Sequence, residues 1–232
     1  MDSDNTQQGN PKRTGAYQRL VTGDGLRRSR FHTYQGQLLD PGAFAYLPHC
    51  VSSVLLLKLF GYRQHVPWLG FRVVRRLQTL IRPDFRILEF GSGMSSLFFA
   101  SRCEQLVSIE ADQGWYETMR AEFAKRGLTN IDYRLRAVGE YARLDDFPDA
   151  SFDFVLVDGA RRDEAALTAV RKCRPGGWIL LDNSDVSWPE HQNARATVLA
   201  AASKTPGSTE IYNDLYPFGL QACESVLLQT SN

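Results

Sequence analysis

Paired cysteines are missing from this sequence: Cys50, Cys103, Cys173 and Cys223 are far apart and form no CxxC. That spacing indicates neither a zinc knuckle nor a disulfide framework, and the expectation is reduced thiols in a cytoplasmic protein. His32, His49, His65 and His191 lack the i, i+4 spacing of a helical metal pair. An excess of one charge is missing too. The 27 Lys and Arg oppose 26 Asp and Glu, so no broad field draws the chain to nucleic acid or to an acidic membrane, and neither is an expected partner. The one local bias, Lys12, Arg13, Arg19, Arg27, Arg28 and Arg30, reads as a solvated leader, with a basic arm for an anionic partner as the alternative. Long hydrophobic runs are absent as well. Val51 to Phe60 is broken by Ser52, Ser53 and Lys58 and is about half of a membrane span, so it reads as a buried helix. Residues 1 to 15 carry no apolar stretch of the kind a secretory signal needs.

What is present is an ordinary globular composition, 43% hydrophobic and 23% charged over 232 residues, which suits one large domain. Residues 1 to 44 read as an irregular leader and 45 to 232 as the domain. Two apolar-periodic helices come first, Ala45 to Leu59 and Pro67 to Ile81. From Phe85 short apolar runs alternate with helical segments. Arg86 to Phe90, Leu106 to Glu110, Ile131 to Leu135, Phe152 to Val157 and Trp178 to Leu181 read as strands, followed by Glu210 to Asn213 and Glu224 to Gln229. The expected fold is α/β: a doubly wound, mostly parallel, seven-stranded Rossmann-like sheet with helices on both faces. In such a sheet, ligands sit beyond the C-terminal ends of the strands.

The first strand runs into Glu89-Phe-Gly91-Ser92-Gly93, where missing side chains let a ligand approach the backbone. Glu110 ends the next strand 19 residues after Gly91 (110 − 91), close to the roughly 20 expected of a carboxylate that holds a ribose diol. Glu89 would repel a pyrophosphate yet suits a cationic ammonium, and Ser96 stands where a dinucleotide fingerprint wants its third glycine. Both features favour S-adenosylmethionine over NAD.

With EFGSG at 89 to 93, SIEAD at 108 to 112, FDFVLVDG at 152 to 159 and CRPGGWILLDNSD at 173 to 185, the chain resembles the class I S-adenosylmethionine-dependent methyltransferases of bacterial small-molecule type. The resemblance implies that Glu89, Gly91 and Gly93, with Ser92 and Ser95, line the methionine and ribose region. It further implies that Glu110 holds the ribose hydroxyls and that Ala111 and Asp112 border adenine. Trp115 either stacks on adenine or packs on the sheet.

Methyl transfer from a sulfonium is a one-step displacement, so alignment of the acceptor and removal of its proton are what an enzyme contributes. Asp158 ends the fourth strand and Asp182 with Asn183 ends the fifth. Asp158 is the candidate base or anchor, Asp182 and Asn183 form the floor of the acceptor site, and Arg161 is an anchor for an anionic acceptor, with pairing to Asp163 or Glu164 as its structural alternative. Asp185 shares the edge, and Trp188 and Pro217-Phe-Gly are candidate walls.

The arrangement also resembles catechol-type O-methyltransferases, whose acids at these places hold a divalent cation. Mg²⁺ suits such oxygen donors but is not favoured, because Arg161 stands where that family has a lysine. Nucleic acid is not the expected acceptor, since the (Asn/Asp)-Pro-Pro-(Tyr/Phe) tetrapeptide is missing. The expected activity is transfer to a small molecule, with a hydroxyl oxygen as acceptor. The rivals are a nicotinamide-dependent oxidoreductase and a non-catalytic cofactor-binding interaction protein. A homo-oligomer stays open.

Overall fold

The computed structural model describes residues 27–62 and 64–231; the leader positions Lys12, Arg13 and Arg19 lie outside them. A 3₁₀ turn, Pro41–Tyr46, leads into α1 (Leu47–Phe60) and α2 (Phe71–Leu80). There follow β1 (Arg86–Phe90), α3 (Met94–Ala100), β2 (Gln105–Glu110), α4 (Gln113–Lys125), β3 (Ile131–Leu135), β4 (Phe152–Val157), α5 (Arg162–Lys172) and β5 (Cys173–Asp182). α6 (Pro189–Ala200) precedes β6 (Thr209–Tyr216) and β7 (Gly219–Gln229).

The seven strands lie in the order β3-β2-β1-β4-β5-β7-β6. β1 to β5 are mutually parallel, and β7 runs antiparallel to both neighbours. The central strands are mostly apolar because both faces are covered, with Glu89 and Ser108 as buried polar exceptions. Ile87, Leu106, Phe154 and Leu156 pack with Phe98 and Phe99 of α3 and Val73 and Leu77 of α2. Leu88, Val107, Val155 and Val157 pack on the other face with Ala165 and Ala169 of α5 and Ala194 and Val198 of α6. The strand order reverses between β1 and β4, so the loops after these two strands splay apart and open a crevice.

The expectation for Val51 to Phe60 is corrected. The helix forms but is not buried: Leu55, Leu59 and Phe60 are 50%, 69% and 74% exposed. Only Cys50 and Ser53 of α1 are buried. The helix lies at the domain edge over the β6–β7 hairpin, and the hairpin takes up its small and polar face.

Candidate active site

Gly91 leaves β1 with φ +95°, and a Cβ there would lie 2.7 Å from the Asp158 carbonyl oxygen. Glycine is required because this turn must adopt a left-handed conformation while passing against the β4 loop. Gly93 differs: a Cβ there would meet nothing nearer than Ser95 Oγ at 3.9 Å, so its missing side chain leaves space in the crevice itself. That crevice is a half-open cavity of about 820 Å³. Gly91, Ser92, Gly93, Met94, Ser95 and Trp115 line one end.

Beneath this loop Glu89 is fully buried. Its carboxylate accepts from Ser95 Oγ at 2.6 Å, Ser96 Oγ at 2.5 Å and Ser108 Oγ at 2.7 Å, and Ser96 Oγ in turn accepts from Gly93 N. Burial pushes the Glu89 carboxyl up to about 7 against the opposing pull of the serine hydroxyls. In this arrangement Glu89 braces the glycine loop from below and is not part of the cavity wall. The strand-end acid is joined to the same loop. Glu110 Oε2 accepts from Ser92 N and Oγ at 3.2 and 2.7 Å, and Oε1 accepts from Ala111 N and Asp112 N at 2.7 and 2.9 Å. These four bonds fill the acceptor capacity of a carboxylate, so a bound diol would take the place of the Ser92 hydroxyl. Asp112 caps α4 by accepting from Trp115 N at 2.6 Å, and the Trp115 indole donates to Ser92 O at 2.8 Å. The glycine loop and Glu110 therefore share one end of the sheet.

Asp158, Asp182 and Asn183 line the same cavity. Arg162 draws them together. Its guanidinium donates to Asp158 Oδ1 at 2.9 Å, Asn183 Oδ1 at 3.3 Å and the Asp182 carbonyl at 2.5 Å, while Ser225 Oγ donates to Asp182 Oδ1 at 2.5 Å. Desolvation raises the Asp158 carboxyl, opposed by Arg162. Desolvation, with the neighbouring charge of Asp158, pushes Asp182 up to about 7. Two acids beside one guanidinium act as a coupled pair, and their titration belongs to the pair.

The expectation for Arg161 is corrected. Arg161 has φ 46° just outside α5 and pairs on the surface with Glu164; the cavity-edge guanidinium is that of Arg162. The signal was available, because Ala165, Ala166 and Ala169 mark the buried face of α5 and three residues back from Ala165 comes Arg162.

Asp185 is buried away from the cavity, accepting from Tyr34 N and Glu224 N. Trp188 is also no part of the wall; it is 64% exposed and packs on His191. Pro217, Phe218 and Gly219 do line the cavity, facing Val54, Leu57, Lys58 and Trp68. The sequence does not reveal Val54, Leu57 and Trp68 as wall residues because apolar residues of both N-terminal helices read as core, and Lys58 reads only as a break in the apolar run.

The oxygen donors do not suit a divalent cation. Asp158 and Asn183 already face the Arg162 guanidinium, Asp182 is committed to Ser225, and no group of three or more His, Cys, Asp or Glu among the described residues is arranged to hold a metal.

Residues 88–184 match the family model of a methyltransferase domain. No curated protein matches the chain. Among solved structures, the O-methyltransferase TomG of Streptomyces achromogenes, involved in tomaymycin synthesis and solved with SAM, is 22% identical with TM-score 0.56, over 79% of this chain and 89% of its own. An O-methyltransferase from Bacillus cereus in complex with SAH is 18% identical with TM-score 0.56, over 79% and 91%. An rRNA methylase from Streptococcus thermophilus is 11% identical with TM-score 0.55, over 69% and 95%. At these identities the likeness is one of fold.

Proposed function

Because the chain is a class I S-adenosylmethionine-dependent methyltransferase, we propose that it methylates a hydroxyl oxygen of a small-molecule acceptor held between α1 and the β6–β7 hairpin. The observation that carries this reading is the convergence of the glycine loop, Asp158 and Asp182 on one cavity. Its volume lies at the upper end of the roughly 300–1,000 Å³ typical of ligand sites, which suits a cofactor and an acceptor side by side. Two of the solved fold neighbours are O-methyltransferases.

The residues present fit the cofactor. The space at Gly93 admits it, Glu110 is placed for its ribose hydroxyls, and Trp115 offers an aromatic face at the same end. When bound, S-adenosylmethionine supplies a methyl group on a positively charged sulfur. The chain supplies alignment and proton management. Asp158 accepts the proton of the acceptor hydroxyl, and Arg162 fixes the position of that carboxylate. Phe218, Trp68, Val54 and Leu57 exclude water and hold the acceptor body. A nicotinamide dinucleotide is not favoured, since a buried carboxylate underlies the loop where a pyrophosphate would sit.

Arg162 occupies the charge position a divalent cation would take, so catalysis needs no metal. The test is a panel of small hydroxylated acceptors assayed for methyl transfer from S-adenosylmethionine with and without EDTA. At least one acceptor should be methylated at the same rate in both. A rate lost to EDTA and restored by Mg²⁺ would contradict the role given to Arg162, and methylation of RNA alone would contradict the acceptor class.

A further inference from the structure

The outer face of α1 is apolar where a helix on a protein edge is normally polar. Its inward side carries small and polar groups: Cys50 Sγ donates to the Gly219 carbonyl at 3.1 Å, and Ser53 Oγ accepts from Phe218 N at 2.9 Å. Its outward side carries Val51, Leu55, Leu59 and Phe60, with Ser52 among them. Of the 13 exposed large hydrophobic residues among those described, eight fall within residues 38–68: Leu38, Phe44, Val51, Leu55, Leu59, Phe60, Tyr62 and Trp68. Scattered exposed apolar residues need no explanation, but a contiguous set on one element marks a contact surface. Leu47, Pro48, Val51 and Leu55 also line a shallow apolar hollow on this face.

Charge indicates what covers it. Between Asp24 and Asp84 the sequence has nine Lys and Arg and a single acid, Asp40. The stretch is therefore +8 and the rest of the chain −7, since the total is +1. Arg72, Arg76 and Arg82 are paired with Asp40, Glu210 and Asp84. Lys58 and Arg75, flanking the apolar face on α1 and α2, have no carboxylate partner among the described residues.

We propose that this face docks on an anionic lipid surface, with α1 lying along the boundary between headgroups and acyl chains. Apolar side chains with aromatic and basic residues at their margin, here Tyr62, Trp68, Lys58 and Arg75, are what such a boundary accommodates. A second copy of the chain would bring the like charges of Lys58 and Arg75 against their own counterparts. The 20-residue helical stretch Pro41–Phe60 is long and apolar enough to cross a bilayer, but its inner face is tied to the β6–β7 hairpin, so it lies on the domain. Val54, Leu57 and Lys58, on the adjoining side of α1, line the cavity, so Lys58 and Trp68 stand where its mouth meets the apolar face. Docking therefore brings the cavity mouth to the lipid, where an amphiphilic hydroxylated acceptor can enter; only this last use rests on the methyl-transfer reading.

The test is sedimentation of the full chain with unilamellar phosphatidylcholine vesicles, with and without phosphatidylglycerol. The wild type should pellet with the phosphatidylglycerol vesicles and be released by added salt. The triple variant Leu55→Ser, Leu59→Ser, Phe60→Ser should lose at least tenfold in vesicle affinity. Its titration with S-adenosylmethionine, unchanged, shows that it is folded. The proposal is overturned if the wild type stays in the supernatant with both vesicle types, if the triple variant pellets as well as the wild type, or if the substitutions convert a dimer to a monomer in a protein that ignores lipid. Vesicle binding by a protein that transfers no methyl group would leave the docking standing and remove the catalytic reading.

Discussion

Asp158→Asn should lower kcat by about 10² to 10⁴, the range a positioned general base contributes, while leaving S-adenosylmethionine binding within about twofold. Asparagine keeps an oxygen for the Arg162 guanidinium, so the cavity edge holds and only the proton acceptor goes. The pH profile separates this from a structural effect. A base must be ionised to work, and both carboxyls of the pair are raised by burial, Asp182 to about 7. In the wild type kcat/KM should therefore rise with pH through an apparent pKa above the usual carboxylate range that belongs to the pair. In Asp158→Asn the remaining carboxyl loses the neighbouring charge that helps to raise it, so any residual profile should flatten or move to lower pH. Full kcat with an unmoved profile in this variant would mean that Asp158 takes no proton.

Arg162→Ala should destabilise the fold by about 3–5 kcal/mol, the usual cost of removing one partner from a buried charge pair. The Arg162 side chain is 9% exposed and answers Asp158, Asn183 and the Asp182 carbonyl at once. Its loss strands two carboxyls with no cation. Urea denaturation reads this directly as a lower midpoint at pH 8. The deficit should shrink at pH 5, because Asp182, raised to about 7, is protonated there, and the raised Asp158 carboxyl is closer to its neutral form, so less charge needs the partner. Arg162→Lys should recover only part of the loss, since a single ammonium lacks the planar fork that reaches several acceptors. A midpoint unchanged at both pH values would show that Arg162 does not hold this edge together.

Much of the scaffold was legible in the sequence because its central strands are buried on both faces and read as apolar runs. Arg86–Phe90 and Phe152–Val157 begin and end where those runs do, and the edge strand Ile131–Leu135, half-buried with Asp132 and Arg134 in it, reads with the same bounds. The site was legible as far as strand ends could carry it, since a parallel sheet delivers the glycine loop, Glu110, Asp158 and Asp182 to one edge. Beyond that, the sequence could not tell which groups the protein itself satisfies. Glu89 reads as a ligand for an ammonium, yet three serines from α3 and β2 take up its oxygens. Arg161 and Arg162 are chemically alike, and the left-handed turn at Arg161 decides which of them enters the cavity edge. Helix α1 misled for a physical reason. Apolar residues normally turn inward, and here an edge helix gives its small polar face to the hairpin and Leu55, Leu59 and Phe60 to the outside.

The central claim is that one adenosyl cofactor lies over Gly93 and reaches Glu110. Isothermal titration of the purified protein with S-adenosylmethionine tests it most directly, with Gly93→Val and Glu110→Ala alongside. Gly91 is unsuitable for substitution because a side chain there would strain the β1–β4 contact. The wild type should bind one equivalent, and each variant should bind at least tenfold more weakly, about 1.4 kcal/mol. Undiminished binding by both variants, or heat from NAD where S-adenosylmethionine gives none, would contradict it.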